Sequence, residues 1–174
     1  MYRVGHLRRR ERVCCEGVEV MICRTDTPVL SGEGAYEGIN GFYREVTEAF
    51  RTHALETLGA EASRTFEGER GGRFTFLPWE AELRFSLMQA DERILSLCLE
   101  RRQGRRRQGE RLSVTYAQTW DVASERLIPL EVLLRDRGLR LPRRKAYQGY
   151  YVERDKIVLL RRREDGVLVR EIIE

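Results

Sequence analysis

Residues 39–66 read INGFYREVTEAFRTHALETLGAEASRTF, and this stretch decides the fold class. Apolar residues recur in it at spacings of three and four, which is typical of one buried helix face. The charged residues fall largely outside that face. We expect one long amphipathic helix of about 25–30 residues. Gly59 lies inside it and allows a kink, because glycine in a helix costs about 1 kcal/mol relative to alanine. The apolar face consists of Ile39, Tyr43, Val46, Phe50, Ala54, Leu58, Ala62 and Phe66.

The segments on both sides of this helix alternate with the period of two that strands require. A short helix beginning near Pro129 interrupts the later strands, since proline suits the first turn of a helix. Strands, one long helix and then a run of strands predict an α+β fold: a mainly antiparallel sheet with one long amphipathic helix packed across it. The predicted strands lie near residues 18–23, 83–87, 94–99, 112–122, 150–152, 157–160 and 167–173.

The composition is that of a folded protein, with 174 residues, 41% hydrophobic and 34% charged. Four scattered prolines mark no linker, so we expect a single domain over residues 1–174. Residues 1–11 are basic and lack the apolar segment of a signal peptide, and we expect them to form a mobile extension. The apolar runs are too short for a membrane span, which favours a cytoplasmic location.

The charge is unevenly distributed along the chain. Residues 1–100 carry 13 basic and 17 acidic side chains, whereas residues 101–174 carry 19 basic and 11 acidic. Two segments, 101–111 and 135–145, are rich in arginine, and they are either solvated loops or a surface for a polyanion such as nucleic acid. Aromatic residues nearby are candidate neighbours of that surface. The candidate ligand or partner surface comprises Arg101, Arg102, Arg105, Arg106, Arg107, Arg111, Arg143, Arg144, Lys145, Tyr116 and Trp120.

No catalytic or cofactor motif is recognisable. The sequence has two histidines, His6 and His53, and lacks both the G-x-S-x-G and the H-E-x-x-H patterns. Cys14, Cys15 and Cys23 lie close to His6, but their spacing matches no standard zinc site, and adjacent side chains on a strand point to opposite faces. We therefore expect no metal, no cofactor and no enzymatic activity, and we expect the cysteines to be free thiols rather than a disulfide framework.

The order of several short motifs resembles a known domain family. They are Pro28 with Ser31-Gly32, Ile39-Asn40-Gly41-Phe42-Tyr43, Ser96-Leu97, Gln118-Thr119-Trp120-Asp121, Leu127-Ile128-Pro129-Leu130, and Tyr151-Val152 with Ile157-Val158-Leu159. Over residues 17–160 the chain is similar to the domain of unknown function that forms the extracytoplasmic, lysozyme-sensing part of anti-sigma-V factor. The same family accompanies some peptidoglycan deacetylases and occurs in many clostridial proteins.

The resemblance implies a sheet with a long helix laid across it, and a binding or sensing module whose partner is a protein or a cell-wall ligand. The chain departs from the family at the loop 101–111, where arginines replace a usual Gly-Gly-Ala-His-Gly segment. It departs again at residues 161–166, where an Arg- and Glu-containing turn replaces an aromatic-rich segment. Lysozyme is itself basic and would be repelled by a protein of net charge +4. The resemblance therefore implies the fold and a binding role, without lysozyme as the ligand.

Overall fold

The computed structural model describes residues 2–34, 36–72, 75–105, 112–140, 146–163 and 166–173. It contains two sheets, one long helix with a π-helical middle, and one short helix. In chain order the elements are β1 (Tyr2–Cys15), β2 (Val18–Gly32), α1 (Glu37–Thr52), a π-helical segment (His53–Leu58), α2 (Gly59–Glu69), β3 (Trp79–Ala90), β4 (Ile94–Arg105), β5 (Leu112–Asp121), β6 (Arg126–Leu127), α3 (Leu130–Asp136), β7 (Gly149–Glu153), β8 (Lys156–Arg162) and β9 (Leu168–Ile173).

The main sheet has six strands in the order in which they occur along the chain, from β1 to β6, and β7–β9 form a second sheet. Neighbouring strands are antiparallel, as predicted, with one exception. Strands β2 and β3 run parallel from the Met21–Trp79 pair to the Thr25–Leu83 pair, so the main sheet is mixed. The long helical connection between β2 and β3 makes this possible, because it returns the chain to the end of the sheet where β2 began.

The predicted long helix is present from Glu37 to Glu69, and its apolar face packs against the main sheet. The π-helical segment interrupts it immediately before Gly59, close to the predicted kink. At Gly59 the helix passes very near β1, because a Cβ atom there would lie 3.0 Å from Val13 Cγ2. A widened π turn followed by a glycine lets the helix follow the twisted sheet at this crossing.

The expected mobile extension at residues 1–11 is wrong for residues 2–11. They belong to β1, which pairs with β2 along its length in an antiparallel ribbon. This strand is not recognisable in the sequence, because apolar and polar residues do not alternate in the run Arg8-Arg9-Arg10-Glu11-Arg12. The pairing is directed by the turn at Glu16 and Gly17, whose φ angles of 49° and 81° are those of a tight hairpin.

The second sheet packs on the face of the main sheet opposite the helix. Alternate residues of β4 divide between the two sides, so Leu95, Leu97 and Leu99 join the helical core while Cys98 contacts the second sheet. A buried polar contact joins the layers, since the Val152 N–H donates to Ser96 Oγ at 2.8 Å. The predicted strands at 94–99 and 112–122 are present as the antiparallel pair β4 and β5, and the short helix and the three late strands are confirmed as well.

The cysteines do not gather into a site. All four are free; Cys14 is exposed, whereas Cys23 and Cys98 are buried. His6 lies opposite Pro28 in the ribbon, whereas Cys23 lies opposite Glu11. Positions 6 and 11 of β1 are five residues apart, which separates them by about 17 Å along the strand. Within the described ranges, no group of three metal-ligating side chains converges, and no helix is both long and apolar enough to cross a membrane.

Candidate functional site

The structure divides the predicted ligand surface among several environments. Arg101, Arg102 and Arg105 lie on β4, and Tyr116 and Trp120 lie on β5. The remaining members of the prediction fall outside the described residues: Arg106, Arg107, Arg111, Arg143, Arg144 and Lys145.

Several of the described arginines are held by carboxylates. Arg102 Nη2 lies 2.8 Å from Glu100 Oε1, and Arg105 binds the Glu69 carboxylate through both terminal nitrogens. The hydrogen bonds from Arg105 lower the pKa of the Glu69 carboxyl. Of the second basic segment, Arg135 approaches Asp136, and Arg137 donates to a backbone carbonyl, that of Asp155. The described parts of the two segments therefore do not form a cluster of unpaired positive charge.

Trp120 belongs to the core rather than to a partner surface. Its side chain is 5% exposed, and its indole Nε1–H donates to Tyr43 Oη at 2.7 Å. The rings of Phe42 and Tyr43 meet it edge-on at centroid distances of 5.1 and 5.9 Å. This cluster fixes the start of α1 on β5, and burial raises the pKa of the Tyr43 phenol well above its ordinary value.

Arg101 and Tyr116 do come together, in a groove between α1 and strands β3, β4 and β5. We call it the α1 groove; its volume is about 350 Å³. It exists because the helix covers the adjoining part of the sheet and leaves the inner face of β4 and β5 open beside it. Its lining is Val46, Ala49, Phe50, Leu83, Leu99, Arg101, Tyr116 and Gln118.

The described lining of the α1 groove is mostly apolar, and Arg101 is the one charged residue in it. The Arg101 guanidinium lies over the Phe50 ring, with its carbon 5.4 Å from the ring centroid. Its Nε and Nη2 donate to Gln103 Oε1 at 3.0 and 2.7 Å, and among the described residues it has no carboxylate partner. Tyr116 is 51% exposed, so its ring forms an open side of the groove. The amide oxygen of Gln118 is buried and accepts no hydrogen bond from the part of the chain that the structure describes.

Sequence reasoning missed the helical half of this groove. The helical spacing places Val46 and Phe50 on the packing face of the helix, and Phe50 is indeed buried. The width of the apolar face, which includes Ala49, is the signal that one side of it extends beyond the sheet contact. In the sequence, Gln118 stands out only as part of the resemblance motif Gln118-Thr119-Trp120-Asp121, and an isolated glutamine on a strand does not indicate a ligand site.

A larger cleft of about 660 Å³ lies between the β1–β2 ribbon and β3. His6 stacks on Phe85 there at 4.5 Å, and its Nδ1 lies 3.0 Å from Asp26 Oδ1. Most of the arginines around this cleft are paired with carboxylates: Arg8 with Asp26 at 3.2 Å, Arg10 with Glu19 at 3.8 Å, Arg24 with Glu80 at 3.5 Å, and Arg84 with Glu82 at 2.5 Å. Among the described residues, Arg9 is the arginine of this cleft without an ion-pair partner. Such a salt-bridged surface offers less to an anionic ligand than the α1 groove does.

Comparisons with known proteins relate this fold to solved structures that include two DUF3298 family proteins. No family model and no curated protein matches the sequence. A member of the DUF3298 family from Bacteroides fragilis superposes with a TM-score of 0.60 and 11% identity, covering 99% of this chain and 90% of its own. A DUF3298 family protein from Pseudomonas aeruginosa PAO1 gives 0.56 and 10%, covering 100% and 94%. At these identities the likeness is one of fold. The chain therefore shares the fold of structurally characterised proteins of this domain-of-unknown-function family.

Proposed function

We propose that this chain is a non-catalytic binding or sensing domain whose ligand site is the α1 groove. The observation that carries the proposal is an open, mostly apolar groove with a single guanidinium among its described lining residues. Pockets that bind small molecules are concave and mostly apolar, with a few polar groups that orient the ligand. A volume of about 350 Å³ lies at the small end of their range and suits a ligand of one or two rings.

The lining also supports binding rather than chemistry. Among the described residues that line the groove, there is no histidine, cysteine, serine, aspartate or glutamate to act as a base or nucleophile. The titratable side chains in it are Arg101 and Tyr116. Arg101 stays protonated throughout the physiological range and cannot remove a proton from a substrate.

The proposal is tested with a neutral fluorescent probe, N-phenyl-1-naphthylamine, whose emission rises in apolar sites. Ala49 is an exposed residue of the groove wall, so Ala49→Trp fills the groove without entering the core. Ala60, exposed on α2 and outside the groove, provides the matched control Ala60→Trp. We expect the wild type and Ala60→Trp to bind the probe and Ala49→Trp to lose most of the binding.

Equal binding of the probe by all three proteins would place the ligand site elsewhere. A separate assay monitors turnover of ester and cell-wall substrates. Turnover that the wild type shows and Ala49→Trp lacks would make the groove an active site, which contradicts the non-catalytic part of the proposal.

A further inference from the structure

In the part of the sheet that the structure describes, Arg101 has no carboxylate as a partner. Its cross-strand neighbours are Leu83 on β3 and Val114 on β5, both apolar. Arg102, the next residue, faces Glu82 and lies beside Glu100. Because a half-buried guanidinium against apolar walls has lost part of its hydration, an anion supplied from outside would restore a favourable partner.

The guanidinium is also held in a defined orientation. Arg101 Nε–H and one Nη2–H are used by Gln103 Oε1, and the Phe50 ring supports one face of the plane. The second Nη2–H and the Nη1 hydrogens remain. They form the end-on fork that binds both oxygens of a carboxylate, or two oxygens of another anionic group.

The rest of the groove restricts what accompanies that anion. Its walls are the apolar side chains of Val46, Leu83 and Leu99 together with the Tyr116 ring, so a second charge on the ligand would be buried without a partner. Gln118 Oε1 is a buried acceptor in the same wall that lacks a donor among the described residues. It favours a ligand that carries one N–H or O–H in addition to its anionic group.

We infer that the α1 groove selects an organic monoanion: a compact apolar or aromatic body with one carboxylate, or an equivalent anionic group, bound end-on by Arg101. This inference rests on the proposed function and adds the chemical class of the ligand. The paired neighbour Arg102 has no part in binding.

The test compares two probes of nearly the same shape. 8-Anilinonaphthalene-1-sulfonate carries one anionic group, and N-phenyl-1-naphthylamine is its neutral counterpart. Arg101→Gln removes the charge at the groove, whereas Arg102→Gln makes the same change on the opposite face of β4. We expect Arg101→Gln to weaken binding of the sulfonate about tenfold or more and to leave the neutral probe unaffected. Arg102→Gln should change neither affinity.

Arg101→Lys retains the charge without the fork and should give an intermediate loss for the sulfonate. The inference is overturned if the sulfonate binds Arg101→Gln as tightly as the wild type while the neutral probe still binds; the proposed function would then stand. If neither probe binds the wild type, the proposed function itself fails. Unchanged affinity for the neutral probe also shows that Arg101→Gln is folded, so a selective loss of the sulfonate reports on the charge alone.

Discussion

Replacing Tyr43 with phenylalanine removes one oxygen from the centre of the molecule. Tyr43 is fully buried, and its hydroxyl accepts the Trp120 indole N–H at 2.7 Å. Phenylalanine retains the ring and its contacts with Phe42 and Trp120. The main effect of Y43F is therefore to leave a buried indole N–H without an acceptor, which costs about 1–3 kcal/mol.

Urea unfolding followed by far-ultraviolet circular dichroism measures this loss. With a slope of about 2 kcal/mol per molar urea for a protein of this size, the midpoint should fall by about 0.5–1.5 M while the slope stays unchanged. Tyr116→Phe is the matched control, because it removes the same oxygen from an exposed ring. That variant should stay within about 0.5 kcal/mol of the wild type.

A double-mutant cycle with Trp120→Phe separates the hydrogen bond from packing. If the two side chains interact as described, the effects of Y43F and W120F are not additive, and the coupling energy lies at about 0.5–3 kcal/mol. The reasoning is refuted if Y43F changes the free energy of unfolding by less than about 0.3 kcal/mol, or if Y116F costs as much as Y43F.

Three further predictions concern stability. Ser96→Ala leaves the buried Val152 N–H without its acceptor and should cost about 1–3 kcal/mol in urea unfolding, against little loss for an exposed serine. Glu125 accepts the first N–H groups of α1, from Gly38 at 2.6 Å and Ile39 at 3.1 Å, so Glu125→Ala should cost about 1 kcal/mol in thermal unfolding. Glu125→Gly should cost less, because residue 125 has φ of 53°, and a larger loss for glycine would contradict this. Burial raises the pKa of the Cys23 and Cys98 thiols from 9.0 to about 11, so the folded state retains protons that the unfolded chain has lost. The free energy of unfolding should therefore fall as the pH rises above 9. Cys98→Ala should make that fall less steep, and an unchanged pH dependence would refute this prediction.

The long helix was predictable because its apolar spacing continues through a single stretch of sequence. Eight apolar residues at spacings of three and four leave few alternatives, and tertiary contacts only altered its middle. The π-helical turn was not predictable, because it depends on the close packing of the helix against Val13 of β1, a strand that is distant in sequence. Gly59 indicated where the helix is irregular, but it did not indicate that the irregularity is a π-helical turn.

Strand β1 and the parallel pair were not predictable for a related reason. In β1 the pattern that marks strands is replaced by a run of arginines, and pairing with β2 comes from backbone hydrogen bonds and a turn at Gly17. The parallel contact of β2 with β3 is a property of the whole connection. No individual residue of β2 or β3 indicates that the two strands run parallel.

The candidate site illustrates a limit of reading charge from sequence. Arg101 and Arg102 are adjacent and identical, and composition places both in one basic segment. The strand pleat places their side chains on opposite faces of β4. Arg102 lies on the face that carries Glu82 and Glu100, whereas Arg101 lies on the face that carries leucine, valine and phenylalanine side chains. The arginine content of the segment therefore says little about its function, because each guanidinium acts through what lies across the strand. A charge opposite carboxylates serves the fold, and a charge opposite apolar side chains is available to a ligand. If Arg101→Gln and Arg102→Gln had the same effect on binding of an anion, only the total charge would matter, and the register of β4 would have no functional meaning.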